Sequence, residues 1–262
     1  MTEAEIFQVV DALDPQPLVD ETLPIWEKRI DQVGNAELAK VGANVAFDMF
    51  NPAVVAHLEN YAGNRIPDLI NITTRDALRT TLVEGVKAGE GTRELRKRIT
   101  QVFTDGNLNI YKVRAERIAR TEVHRSSNFA IHTAQRQSGL VRKRQWVAAL
   151  INTRATHAAL HGTVKSINEP FTIGLSSAMY PGSFGIAAED INCQCTVVAV
   201  IDKPLQLSIG KQGLDEDEMV VASESYIDLV EPWVVEGRQA FIRGFEIQMM
   251  AVLGVFDRLA RG

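Results

Sequence analysis

Apolar residues recur at helical spacing along most of the first 139 residues and again near the end, and at strand spacing only in between. Thr2-x-x-Glu5 ahead of Ile6, Val9, Val10 and Leu13 has the form of a reciprocal cap, so a short helix starts there and stops near Asp14-Pro15-Gln16-Pro17. Over residues 20–50, Leu23, Ile25, Ile30, Val33, Leu38, Val41, Val45 and Phe47 predict one long or two shorter helices, with Gly34 and Gly42 as interruptions. Asn51-Pro52 restarts a helix carrying Val54, Val55, Leu58 and Tyr61 that stops at Gly63-Asn64. Thr73-x-x-Asp76 opens a helix with Leu78, Leu82 and Val86 inward, ended by Gly89 and Gly91. Thr92 then caps a partner carrying Leu95, Ile99, Val102 and Phe103, which makes a helical hairpin. After Asp105-Gly106 a long helix over residues 110–136 buries Val113, Ile118, Ala119, Val123 and Ala130 and stops at Ser138-Gly139. His124 and His132 fall on its polar or boundary side.

Past Gly139 the period changes. Residues 144–150, 163–171 and 195–201 are rich in strand formers and predict a small antiparallel sheet. Residues 174–190 form a long turn-rich stretch, either a functional loop or one tied down by other means. Asp215-Glu216-Asp217-Glu218 precedes a last helical segment with Trp233, Val234, Phe241, Ile242, Phe245, Met249, Val252 and Phe256, more apolar surface than a lone helix needs, so docking on the body or on another subunit is expected. The fold class is α+β, mainly helical: a helical N-terminal part, a long central helix, a small antiparallel sheet and a helical C-terminal tail. The chain divides into residues 1–64, 65–204 and 205–262.

Composition narrows the class. A chain of 262 residues, 45% hydrophobic and 23% charged, is an ordinary globular one. The start at Met1-Thr2-Glu3-Ala4-Glu5 lacks the features of a signal peptide, no stretch has membrane-spanning length, and two cysteines one residue apart exclude a cross-linked secreted scaffold. Synthesis in a reducing cytosol is expected. The net charge of −5 conceals a segregation: residues 91–144 hold 13 Lys/Arg against 4 Asp/Glu, residues 1–90 hold 7 against 15, and residues 145–262 hold 8 against 14. Such a basic middle suits phosphate or an acidic protein surface, or it is a solvated helix face. The candidate nucleic-acid contacts are Arg93, Arg96, Lys97, Arg98, Arg114, Arg117, Arg142, Lys143 and Arg144.

Two constellations bear on chemistry. His157 and His161 stand four apart, and Cys193 and Cys195 point the same way if extended, so four ligands could converge on one structural zinc that holds the long loop to the sheet. The alternative is ordinary polar histidines and buried thiols, and a Cys193–Cys195 disulfide would close a strained ring. Arg120-Thr121-Glu122 invites a general-base reading, but Glu116–Arg120 and Glu122–Arg125 have the spacing of pairs that lace a helix surface. Phosphate-binding glycine loops, dinucleotide fingerprints, serine-hydrolase elbows and His-Glu-x-x-His are absent, so no catalytic residue is assigned.

The order of these fragments is more telling than any of them. Arg117-Ile118-Ala119-Arg120-Thr121-Glu122-Val123, Asn128, Trp146, Arg154-x-x-His157-x-x-x-His161-Gly162, Phe171, Tyr180-Pro181-Gly182 and Ile191-Asn192-Cys193-Gln194-Cys195 follow one another between residues 117 and 198. In this series the chain resembles the Mu F-like head morphogenesis (minor head) proteins of tailed bacteriophages, over residues 65–200. Arg120, Thr121, Glu122, Asn128, Gly162 and Pro181 carry the signature; Gln194 stands where members usually have arginine, and His161 where many have an acidic residue. The resemblance implies a non-enzymatic, low-copy virion protein, made in the bacterial cytoplasm and placed at the portal vertex. It implies contact with the portal and with capsid or scaffold proteins, a part in procapsid assembly, packaging or ejection, and contact with genomic DNA but no membrane. Some members carry a toxin domain after the shared region; with about 60 residues following it here, none is expected. A metal-dependent nuclease or hydrolase using His157, His161 and Glu189 or Asp190, or the Cys193/Cys195 region, and a free nucleic-acid-binding protein are the alternatives.

Overall fold

The computed structural model describes residues 2–104, 109–149, 152–201 and 216–261. Asp105-Gly106, Leu150, and residues 205–215 of the expected acidic linker lie outside them. The helices are α1 (Glu3–Asp11), α2 (Gln16–Lys40), α3 (Pro52–Asn60), α4 (Ile72–Lys87), α5 (Thr92–Thr104), α6 (Asn109–Gln137), the single turns α7 (Ala155–Ala158) and α8 (Ala187–Asp190), and α9 (Glu216–Leu259); a π-helical stretch, Tyr61–Asn71, joins α3 to α4. The strands are β1 (Lys143–Val147), β2 (Val164–Ser166), β3 (Phe171–Ile173), β4 (Ser176–Ala178) and β5 (Thr196–Val200). The protein is therefore α+β and mainly helical. No helix among the described residues is long and apolar enough to cross a membrane.

Two compact units arise, each from separate stretches: residues 1–25, 56–116 and 237–262 form the first, and residues 26–55 and 117–236 the second. This partition cuts across the three-part division expected from sequence.

In the first unit α1 begins with the reciprocal cap that Thr2 and Glu5 predict, Glu5 N donating to Thr2 Oγ1 and Thr2 N to the Glu5 carboxylate. Its apolar face meets the α4–α5 hairpin and the end of α9, where Ile6, Val10, Leu78, Leu82, Ile99, Leu253 and Phe256 form one core. The hairpin turn works as its glycines predict: Gly89 has φ +71°, its amide bonds Val86 O at 3.0 Å and that of Glu90 bonds Gly85 O at 3.0 Å, so the last carbonyls of α4 are satisfied. The expected stop at Gly63-Asn64 does not occur. The chain stays helical with a widened turn, and Pro67, which has no amide hydrogen to give, falls inside it. Phe241, Phe245, Val252 and Phe256 of α9 are buried in this chain, so the apolar tail finds its partner within the body.

In the second unit α2 runs unbroken through Gly34. The reason is contact: a Cβ at Gly34 would lie 2.4 Å from the Phe47 ring, so only glycine admits that ring against the helix. Gly42, with φ +75°, ends α2, the Ala43 amide reaching Leu38 O at 2.9 Å. Gly34→Ala, which in an exposed helix would add about 0.5–1 kcal/mol of stability, is expected here to cost about 1–3 kcal/mol, read from urea midpoints. A stabilised variant would refute the contact.

The sheet of this unit is antiparallel in the order β2-β1-β5, with Trp146 opposite Val197 and Arg144 opposite Ala199. β3 and β4 form a separate hairpin. The single strand expected over residues 163–171 is thus two pieces in two sheets. The turn before Phe171 contains Pro170, which cannot donate to a ladder.

Candidate functional site

β1 carries Trp146 to the centre of the second unit, where its ring is fully buried against Phe171 (centroids 5.1 Å apart), Phe184 (6.1 Å) and His157 (5.5 Å). His157 lies on the single turn α7, and its ring is enclosed. Its Nδ1 is 3.5 Å from Cys193 Sγ and 3.5 Å from Cys195 Sγ. The thiols bracket Gln194 at the entrance to β5, both buried and neither in a disulfide. On the other side of the ring Glu189 Oε2 stands 3.0 Å from Nε2, near enough to pair although the ring N–H is not aligned for a hydrogen bond; Thr156 Oγ1 donates to the same oxygen at 2.9 Å. The hydrogen bond from Cys193 pulls Cys195 down to about 5, helped by His157 and the Ala149 amide, while that bond and burial push Cys193 up.

Of the four predicted ligands the structure brings three together, His157, Cys193 and Cys195, their ligand atoms within 4.8 Å of one another. His161 is elsewhere. α7 ends at Ala158, so the four-residue spacing never becomes one helical face, and His161 Nδ1 instead accepts the Ala148 amide at 3.0 Å. The three ligands face a pocket of about 430 Å³ lined by Arg120, Asn152, Thr153, Arg154, Asn192 and Gln194.

The signature residues gather around α6. Residues 121–124 and 126–135 are all buried, so this stretch is a central helix and not a laced surface. His124 and His132, expected at its margin, are inside it. Arg120 pairs with Glu231 (3.0 Å), and Glu122 is buried. Thr121 Oγ1 donates to Arg117 O (2.7 Å) and accepts the Asn192 amide (3.1 Å), which ties the helix to the Cys-x-Cys turn. Asn128 Nδ2 is shared among His124 O (3.0 Å), Cys195 O (2.9 Å) and Tyr226 Oη (3.3 Å). Arg125 pairs with buried Asp190 (3.2 Å), whose carboxylate also accepts the Phe184 and Gly185 amides (2.9 and 2.8 Å). Gly182, at φ +83° after buried Pro181, lies against the Arg125 backbone. Gly162, at φ +78°, donates its amide to Trp146 O at 2.9 Å. Sequence reasoning missed Tyr226 and Glu231, partners about 100 residues away on α9 with no local spacing to reveal them. Asn128→Ala is expected to lower stability by about 2 kcal/mol, since Cys195 O loses a buried donor; an unchanged urea midpoint would show that the bond carries nothing.

The basic residues separate by burial. Arg93, Lys97, Arg117 and Arg142 are exposed, and Lys143 is half-buried. Arg96 pairs with Asp257 (3.3 Å), Arg98 forks onto Glu90 (2.6 and 2.7 Å), and Arg114 donates to Thr73 and to Thr74 (2.9 Å). Arg144 corrects the expectation outright. Its side chain is 0% exposed, donating to His132 Nδ1 and to Glu169 O (2.7 Å) over the Phe171 ring, so it cannot meet a phosphate.

A hairpin of helices, a buried central helix and a small sheet locked to it through a Cys-x-Cys turn define the class of protein, a mainly helical α+β one without a recognisable catalytic constellation among the described residues. Residues 76–198 match the family described as Phage Mu protein F like protein, so this stretch of the chain is similar to that family. It is similar to the minor head protein GP7 of Bacillus phage SPP1, 30% identical over 127 residues, 46% of this chain and 39% of that one. It is also similar to the NAD(+)--arginine ADP-ribosyltransferase EFV of Enterococcus faecalis, 28% identical over 213 residues, 75% of this chain and 43% of the relative. A third relative, the uncharacterized protein YqbB of Bacillus subtilis, is 22% identical over 185 residues, 68% of this chain and 59% of that one. The chain spans about half the length of the curated relatives it matches. No solved structure matches it.

Proposed function

We propose that the protein is a low-copy minor head component of a tailed phage, seated at the portal vertex of the virion. There it contacts the portal and capsid or scaffold proteins during procapsid assembly and DNA packaging or ejection. The observation that carries this reading is the family match over residues 76–198, together with the likeness to a minor head protein. In this role the knot around α6 serves as a rigid core and the exposed cations Arg93, Lys97, Arg117 and Arg142 offer contacts to DNA. The test is quantitative mass spectrometry of purified particles and procapsids from the encoding phage. A low, fixed ratio to portal supports the assignment, and absence from both particles rejects it.

The proposed role is non-catalytic. Purified protein incubated with NAD and arginine-containing acceptors is expected to give no ADP-ribosylation, and a turnover signal would assign it the activity named for the enterococcal relative. For DNA, Arg117→Glu with Arg142→Glu is expected to weaken duplex binding and to reduce the slope of log K against log salt by about one per lost phosphate contact. An unchanged slope removes these two residues from the interface.

A further inference from the structure

We infer that His157, Cys193 and Cys195 bind one zinc ion, through Nδ1 and two thiolates, with the fourth coordination position open to the adjoining pocket. The donor set is the first support: two thiolates and one imidazole suit zinc over the hard, oxygen-seeking cations. The spacing is the second. Zinc–sulfur bonds of about 2.3 Å and zinc–nitrogen bonds of about 2.0–2.1 Å at a tetrahedral angle put sulfur and nitrogen about 3.5 Å apart. Both sulfurs lie 3.5 Å from the same nitrogen, so the two nitrogen–sulfur edges of such a tetrahedron are already in place, and all three ligand atoms lie within 4.8 Å of one another. The third is the setting of the imidazole. Glu189 Oε2 stands 3.0 Å from Nε2, on the side of the ring away from the thiols, so Nδ1 is the nitrogen that faces the sulfurs. Trp146 and Phe184 hold the ring from turning away.

The remaining position separates this site from a closed four-ligand clip. His161 is engaged with Ala148, and the pocket side presents Arg120, Asn152, Thr153 and Arg154. Arg154 donates to Ile191 O, and Arg120 is paired with Glu231, so both guanidinium groups are anchored at the rim. Two thiolates neutralise the ion, and water or a small anion completes the shell. The metal fastens α7 to the start of β5 and thereby closes the turn-rich stretch between them.

The test uses the full chain expressed with zinc and its variants. Elemental analysis is expected to give one zinc per chain for wild type and His161→Gln, and a loss of at least about tenfold for Cys193→Ser and Cys195→Ser. Because the serine variants could misfold, apo wild type is also titrated with cobalt. Thiolate-to-cobalt charge transfer and intense tetrahedral d–d bands are expected, and the d–d bands shift when imidazole is added to the open position. A wild-type chain that takes up neither zinc nor cobalt overturns the site. Equal zinc loss in His161→Gln, or cobalt bands indifferent to imidazole, overturns the open coordination.

Discussion

Arg144→Glu is expected to leave the second unit unfolded or nearly so at room temperature. The guanidinium is enclosed, gives hydrogen bonds to His132 Nδ1 and Glu169 O, and lies 5.2 Å from the centroid of Phe171. A carboxylate there meets two acceptors and no donor. The two bonds are lost, both partners are left dry, and a negative charge is buried, with Arg136 offsetting part of its cost. These effects sum to about 5 kcal/mol or more, against about 5–15 kcal/mol for a whole domain. Arg144→Met keeps most of the volume and is expected to cost about 2–3 kcal/mol. Arg142→Glu, on the exposed side of the same strand entrance, should stay within about 0.5 kcal/mol of wild type. Tryptophan fluorescence in urea follows this directly, since Trp26, Trp146 and Trp233 all belong to the second unit. Equal midpoints for Arg144→Glu and Arg142→Glu would place Arg144 at the surface.

The two buried histidines His124 and His132 are expected to lower stability by about 4 kcal/mol between pH 7.5 and pH 5. Burial pushes His124 and His132 from the usual 6.5 down to about 3, reinforced by Arg120 and Arg29 for the first and by Arg144 and Arg136 for the second. Among the described residues neither nitrogen of His124 has a hydrogen-bond partner to receive an added proton, and its ring stands edge-on to Tyr226. Below about 6.5 the unfolded chain takes up protons that the folded one refuses until about 3, so stability is full above that window and falls through it. Each histidine contributes about 1.4 kcal/mol per pH unit. Glu37 works in the opposite sense: burial raises its carboxyl, which keeps its proton more firmly in the folded state. Urea midpoints at several pH values test this, and His132→Gln should remove about 2 kcal/mol of the fall between pH 7.5 and pH 5. A midpoint constant from pH 7.5 to pH 5 would contradict the burial of both rings.

Helix caps and glycine turns were legible because they depend on neighbours in the chain: the Thr2–Glu5 cap and the Gly89 turn stand where the residues predict them. Gly34 was misread because its reason is Phe47, which local pattern cannot bring against the helix. The same limit governs the site. Cys193 and Cys195 are held together by covalent spacing, and His157 joins them across the fold. His161 failed because i, i+4 spacing implies one face only on a helix longer than α7. Counting charges marked residues 91–144 as basic but could not distinguish Arg142, at the surface, from Arg144, in the core.

The interleaving of the two units bears on how such a gene can be cut and recombined. Residues 76–198 supply 76–116 to one core and 117–198 to the other, while Trp26, Arg29, Tyr226 and Phe256, which complete those cores, lie outside. The stretch that carries the family likeness is therefore no interchangeable cassette. Moved alone into another chain it would bring two incomplete interiors, so its transfer preserves both cores only when the flanking helices travel with it.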